Sequence, residues 1–338
     1  MPVDEELALA LWYVAPRKAE LREERLSAPE TGEVRVRSLW GAISRGTEAL
    51  VFNGSVPMTE FDRMRSPNMA GTFPFPVKYG YSVVGAIELG PKELIGRPAF
   101  VLHPHQTLFN VPLRNILPLS DNLPVRRAVL AANMETALNA LWDGTPGPAD
   151  RVAVVGAGVV GILVAFLCSS LAGAEVTLID VDPTRAEIAR NLGIAFASPH
   201  ASPVDCDLVF HASATASGLS TALACAGLET KIIELSWYGN RSVETSLGAA
   251  FHSQRLRLIS SQVGEVARSH RARWTRERRL AAALKLLLDE RLDALLTPPI
   301  SFRELPTRLG GVLDAKNSVL CQVINYSERK RLVCGRST

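Results

Sequence analysis

The sequence is poor in cysteine and carries little net charge. Only five cysteines occur in 338 residues, Cys168, Cys206, Cys225, Cys321 and Cys334, all widely separated. No C-x-x-C is present, so the spacing offers neither a disulfide framework nor a zinc knuckle. Free buried thiols in a reducing compartment are the simplest reading. The formal net charge is +3. It is concentrated in Arg268, Arg271, Arg273, Arg276, Arg278 and Arg279, and without that cluster the chain is slightly acidic. The cluster leads into an amphipathic helix and reads as its solvated start, so no nucleic-acid partner is expected. The N-terminus, MPVDEELALALWYV, has acidic residues where a signal peptide needs basic ones. A cytoplasmic protein is expected. There is no internal repeat and no low-complexity tract.

Long apolar runs are also lacking, with one exception. Val152 to Ala174 has no charged residue and is long enough to span a bilayer. Glycines interrupt it and no second span accompanies it, so no membrane partner is expected. Within it, Val152–Val155 reads as a buried strand and ends at Gly156-Ala157-Gly158-Val159-Val160-Gly161. A helical segment follows to about Leu171, then a second strand, Val176–Ile179, closed by Asp180. The pattern is a G-x-G-x-x-G between strand and helix, the context in which it binds a dinucleotide. Gly156 permits the tight turn, Gly158 lets the backbone approach a pyrophosphate, and Gly161 lets helix pack on strand. The helix N-terminus offers free N–H groups to the phosphates. Asp180 stands 19 residues after Gly161, where a carboxylate takes ribose hydroxyls. Asp182 before Pro183 fits a helix N-cap, leaving Asp180 for the ribose. A carboxylate there repels a 2′-phosphate, so NAD is favoured over NADP. Arg185, close in sequence, blurs that choice.

Length and a hydrophobic content of 47% suit two domains with sizeable cores. Residues 1–122 read as mostly β, with strands at Leu7–Val14, Glu33–Trp40, Tyr81–Leu89 and Pro98–Leu102. Asp121-Asn122-Leu123-Pro124 punctuates the chain, and Arg126–Leu141 is helical. Residues 123–297 form the dinucleotide-binding domain. After Asp180 it alternates Pro183–Asn191 (helix), Asp205–Phe210 (strand), Leu219–Leu228 (helix), Lys231–Leu235 and Leu256–Ser260 (strands), and Thr275–Leu288 (helix). Residues 298–338, with a helix at Leu305–Ala315 and a strand at Val319–Asn325, are too few for a domain and return to the first one.

Gly41-Ala42-Ile43-Ser44-Arg45-Gly46-Thr47-Glu48 is similar to a G-x-C-G-T-D segment. Pro74-Phe75-Pro76 leads to Gly80-Tyr81-Ser82 in place of a G-H-E, and Leu305-Pro306 opens a C-terminal helix. With the Rossmann fingerprint, these features make nearly the whole chain resemble the medium-chain dehydrogenase/reductase superfamily, best known for zinc-type alcohol dehydrogenases. The S-R-G-T-E form resembles most the branch of bacteriochlorophyllide-type dehydrogenases. The resemblance implies an α/β fold: a Rossmann doubly wound parallel sheet plus a GroES-like β-rich domain. It also implies a homodimer joined through the Rossmann domains.

The departures concern the metal. Where the family's Cys and His bind catalytic zinc, this chain has Arg45 and Tyr81, with Ser82 in place of the Glu. The third-ligand segment reads Ala131-Ala132-Asn133-Met134-Glu135, and the four-cysteine structural zinc loop is absent. Zinc takes Cys, His or carboxylate ligands, and a guanidinium cannot ligate it. No catalytic or structural zinc of the family type is expected, with Glu48, His103, His105 and Glu135 as the residues from which a relocated site would be drawn.

The expected activity is an NAD(H)-dependent oxidoreductase acting on an alcohol or carbonyl. Alternatives are a zinc-free quinone or enone reductase-like enzyme and a non-catalytic dinucleotide-binding protein. Arg45 is a fixed cation at the vacated ligand position, either an electrostatic clamp or an arginine paired with Glu48. By the resemblance, Thr47 relays the substrate proton and His103 closes a strand that lines the pocket, where a histidine suits acid–base work. Tyr81 is a candidate phenol donor. Ser213 and Ser236 follow predicted strand ends, where open α/β sheets bind ligands, and are the further cofactor contacts expected. Trp237 and Tyr238 are candidate pocket-lining residues.

Overall fold

The computed structural model describes residues 6–314 and 316–327. Cys334 and Ala315 lie outside them. Among the described residues, the first part comprises β1 (Glu6–Ala15), β2 (Lys18–Leu26), β3 (Glu33–Ile43), α1 (Arg45–Phe52), β4 (Ala70–Gly71), β5 (Val77–Lys78), β6 (Val83–Leu89), β7 (Pro98–Val101), β8 (Leu108–Pro112) and β9 (Ile116–Pro118). Then come α2 (Ala131–Gly144), β10 (Arg151–Val155), α3 (Val159–Ser169), β11 (Glu175–Ile179), α4 (Arg185–Asn191), β12 (Ala195–Ala197), β13 (Cys206–His211), α5 (Ala216–Cys225), β14 (Ala226–Glu234), α6 (Ala250–Ser253), β15 (Arg257–Ser260) and α7 (Arg276–Leu286). The chain closes with β16 (Ile300–Ser301), α8 (Leu305–Val312) and β17 (Gln322–Asn325).

The middle segment forms one parallel sheet, ordered β12-β11-β10-β13-β14-β15. Strand order reverses between β10 and β13, which opens a crevice at the carboxyl ends of the strands. Register places the site there. Val155 pairs with Ile179 on one side and His211 on the other, so Gly156, Asp180 and Ala212 reach the same edge. The alternation of β10 explains its apolar run. Val152 and Val154 enter the core shared with α2 and α3, and Ala153 and Val155 enter the core shared with α5. Burial on both faces is what a parallel strand requires.

Helix α3 is buried nearly all round, with Ile162, Leu163, Val164, Ala165 and Cys168 fully covered. Each large aliphatic side chain among them contributes about 1.5–3 kcal/mol by leaving water. The charge-free stretch is therefore strand, turn and an 11-residue helix. Among the described residues no helix is long and apolar enough to cross a membrane.

The second large sheet runs β16-β17-β3-β6-β7-β9, with β8 also on β3, while β2-β1-β5-β4 form a smaller one. Antiparallel pairing of β17 with β3 brings the C-terminal segment back to the first part of the chain.

Several local expectations need correction. The helix expected over Leu219–Leu228 stops at Cys225, and β14 starts at Ala226. Leu219, Ala222 and Leu223 already fill the helix's buried stripe, whereas Leu228 is exposed. The highly charged β2 pairs along β1 with its charges largely at the surface. The arginine cluster is not wholly solvated: Arg279 is 1% exposed. It donates to Glu135 at 3.0 Å, to Asn139 at 2.5 Å and to the Glu265 carbonyl at 3.1 Å.

Candidate active site

The glycine turn has the shape its motif requires. Gly156 has φ +107, and a Cβ there would stand 2.6 Å from the Ser213 nitrogen. A Cβ on Gly161 would stand 1.9 Å from the Gly156 oxygen. Gly158 is the N-cap of α3, and nothing lies within 4 Å of where its Cβ would be. That open space faces the first turn of α3, begun by Val159 and Val160, whose N–H groups and helix dipole suit a pyrophosphate. The turn fits a dinucleotide.

Asp180 closes the turn from the neighbouring strand. Its Oδ2 accepts from the Ala157 N–H at 2.6 Å and its Oδ1 from the Asp182 N–H at 2.9 Å. A carboxylate has about four acceptor positions, so each oxygen keeps one for a ribose hydroxyl. Asp182 accepts from the Thr184 N–H at 3.0 Å, and α4 begins one residue later, at Arg185. Arg185 is 8% exposed and pairs with Asp182 at 3.3 Å.

Arg45 begins α1 and turns away from Glu48. Its guanidinium donates to the backbone carbonyls of Val319 and, at 2.6 Å, Asp314. Burial, and then the positive charge of Arg185, lowers its pKa. Arg45 and Arg185 are therefore close enough for their charges to repel one another.

Glu48 is fully buried and belongs to a different group. Its carboxylate accepts from the Tyr13 hydroxyl at 2.7 Å and from the Ser44 N–H at 2.8 Å. His105 Nε2 lies 2.9 Å from the same carboxylate, itself fully buried. Burial, reinforced by Glu48, pushes the Tyr13 phenol well above its ordinary range.

The Tyr81 hydroxyl stands near enough the Ser44 and Thr47 side chains at the start of α1 for both to act on it. Burial pushes the Tyr81 phenol up to about 12, while the hydrogen bonds from Ser44 and Thr47 act to lower it. Tyr81 and Thr47, separate candidates in the sequence pattern, are thus neighbours, with Ser44 beside them.

His103 lies in a different environment. Its ring stacks on Phe109 with centroids 3.7 Å apart, and Nδ1 lies 2.9 Å from the Pro104 carbonyl. Burial lowers its pKa to about 3, so the ring is neutral at physiological pH. Glu135 is engaged with Arg279. Among the described residues no three His, Cys, Asp or Glu side chains converge as metal ligands. At Arg45 and Tyr81, where the resemblance implied metal ligands, the groups present are a guanidinium bonded to backbone carbonyls and a phenol, a set that does not fit tetrahedral zinc.

Across the crevice, Ser236 Oγ accepts from the Ala214 N–H at 3.0 Å. Ser213 Oγ lies 2.7 Å from His211 Nε2, and His211 Nδ1 lies 2.7 Å from Glu234. The Tyr238 hydroxyl donates to Glu234 at 3.1 Å, and Trp237 packs against the apolar cluster of the first part of the chain. Sequence reasoning missed Ser44, the pairing of His211 and the role of Glu234. The available signals were a hydroxyl residue directly before Arg45, and a histidine and a glutamate at the ends of two apolar strands.

No protein-family model matches the chain. It is 26% identical over 240 residues to an uncharacterized zinc-type alcohol dehydrogenase-like protein of Haemophilus influenzae, covering 67% of this chain and 63% of that relative. Over 325 residues it is 25% identical to the D-guloside 3-dehydrogenase of Escherichia coli K12, covering 86% of this chain and 92% of the relative. Its fold matches that of an alcohol dehydrogenase (rspB) from E. coli CFT073, solved with NADH, at a TM-score of 0.75 and 16% identity, over 95% of this chain and 99% of the other. The fold, the glycine turn and these likenesses together make the chain similar to dehydrogenases of the medium-chain dehydrogenase/reductase superfamily.

Proposed function

We propose that the chain is an NAD(H)-dependent oxidoreductase that transfers hydride between nicotinamide and an alcohol or carbonyl substrate without a catalytic zinc ion. The likeness to D-guloside 3-dehydrogenase supports a secondary alcohol of a sugar or glycoside as the substrate class. The observation that carries the reading is Tyr81 standing beside Ser44 and Thr47, on the two segments where the resemblance sets the family's metal ligands.

The nicotinamide, when bound, supplies the hydride chemistry. Gly156 to Gly161 hold the pyrophosphate on free N–H groups, and Asp180 takes the ribose hydroxyls, favouring NAD over NADP. Tyr81 Oη is the group that moves a proton. Its raised pKa keeps it protonated at neutral pH, so it donates to the oxygen of a carbonyl undergoing reduction. In the opposite direction Thr47 Oγ1 takes the alcohol proton while giving its own on toward the cofactor ribose and solvent, so the hydroxyl is neutral before and after. Arg45, tied to the C-terminal carbonyls, fixes the start of α1 and so the position of Thr47.

The test is turnover of a panel of secondary sugar alcohols with NAD, read at the NADH absorbance, for the wild type and Tyr81→Phe. The expected result is a loss in kcat of about 10²-fold or more, the usual contribution of a general acid, with NADH affinity unchanged. Undiminished turnover by the Tyr81→Phe protein contradicts the assignment.

A further inference from the structure

The second half of the crevice carries a hydrogen-bonded series that the mechanism above does not use. It runs Thr215–Ser213–His211–Glu234, with Thr215 Oγ1 2.9 Å from Ser213 Oγ and the two histidine bonds at 2.7 Å each. His211 is fully buried, whereas Ser213 is half-buried at the crevice edge. Glu234 also accepts from the Ser236 N–H at 2.7 Å and from the Tyr238 hydroxyl. Burial pushes its carboxyl up, but the bond and charge of His211, with Ser236, bring it below the ordinary range.

An ionised carboxylate only accepts, so His211 Nδ1–H donates to Glu234 and the ring is held with Nε2 on Ser213 Oγ. Ser213 Oγ, bonded also to Thr215 Oγ1, is thereby fixed in place at the crevice edge. Gly218 makes room for this arrangement, since a Cβ there would stand 2.0 Å from Ser213 Oγ. The Ser213 nitrogen borders the Gly156 turn, so the hydroxyl adjoins the phosphate cradle. Asp180 on β11 takes the adenosine half of a dinucleotide, and a doubly wound sheet directs the other half toward β13 and β14.

We infer that His211, held by Glu234, fixes Ser213 Oγ as a hydrogen-bonding partner for the carboxamide at the nicotinamide end of the bound dinucleotide. Ser213 touches the cofactor, and His211 and Glu234 are positioning residues acting through it. The inference rests on the dinucleotide reading proposed above.

The experiment is calorimetric titration of NADH and of ADP-ribose, which lacks the nicotinamide, into the full chain. Ser213→Ala and His211→Leu are expected to weaken NADH by about tenfold, the value of one good hydrogen bond, and to leave ADP-ribose within about twofold. Ser213→Thr keeps the hydroxyl and retains wild-type affinity. Gly218→Ala, which displaces that hydroxyl without removing it, is expected to behave like Ser213→Ala and covers the case in which His211→Leu fails to fold. Equal weakening of both ligands, or of neither, overturns the inference. A wild-type chain that binds ADP-ribose but not NADH overturns it as well. One that binds neither overturns the dinucleotide reading itself.

Discussion

Replacing Glu48 by Ala tests what holds the catalytic hydroxyls in place. The carboxylate is fully buried and accepts from Tyr13, Ser44 and His105 at 2.7, 2.8 and 2.9 Å. Hydrogen bonds to a charged acceptor contribute about 1.5–3 kcal/mol each, and truncation leaves the buried Tyr13 and His105 and the half-buried Ser44 N–H without this partner. The carboxylate's own desolvation cost is recovered at the same time. The net loss is therefore expected near about 3–5 kcal/mol, the range for breaking a buried charged pair. Glu48→Gln keeps one acceptor oxygen for Ser44 and should lose less. Urea unfolding followed by tryptophan fluorescence measures the loss. NADH titration under native conditions should be unchanged, because the Glu48 partners lie outside the glycine turn. A Glu48→Ala protein within about 1 kcal/mol of wild type, the effect of an ordinary surface change, refutes the argument that this network anchors α1.

Two other perturbations have signs fixed by the structure. Burial holds His103 neutral down to about pH 3, while the unfolded chain protonates it near pH 6.5. As pH falls through that window the unfolded state gains a proton that the folded state refuses, so stability drops by about 1.4 kcal/mol per pH unit from this residue. His103→Gln should flatten the acid limb of a stability–pH profile between these values, and an unchanged slope contradicts the burial argument. Arg279→Met leaves Glu135 buried without its cation and should cost about 3–5 kcal/mol at neutral pH. Burial already raises the Glu135 carboxyl, and losing the cation raises it further. The deficit should therefore shrink as pH falls toward the ordinary carboxylate range, where the group is neutral in both states. Urea midpoints at two pH values read this, and a deficit that grows on acidification contradicts it.

What was legible in the sequence was local. Gly156 and Gly161 could be read because the backbone tolerates nothing else there, and Asp180 because its distance from the turn is set by one helix and one strand. The return of the C-terminal segment followed from its having too few residues for a core. The long-range polar groups were not legible. Glu48 meets His105 across 57 positions and Arg279 meets Glu135 across 144, and neither pairing leaves a spacing signal. Arg45 looked like a clamp or a partner of Glu48. Its long side chain instead follows carbonyls some 270 residues later, which only the packing of the C-terminal segment brings near. His103 read as an acid–base group because a strand-end histidine titrates near neutrality when exposed, and burial against Phe109 removes that property.

The most direct test of the account is the metal content of the purified chain, counted per molecule by mass spectrometry in the preparation that turns over an alcohol with NAD. Tyr81 standing beside Ser44 and Thr47 predicts turnover with far less than one zinc per chain and no loss on treatment with a chelator. One zinc per chain, with turnover abolished by its removal and restored by its return, contradicts the account.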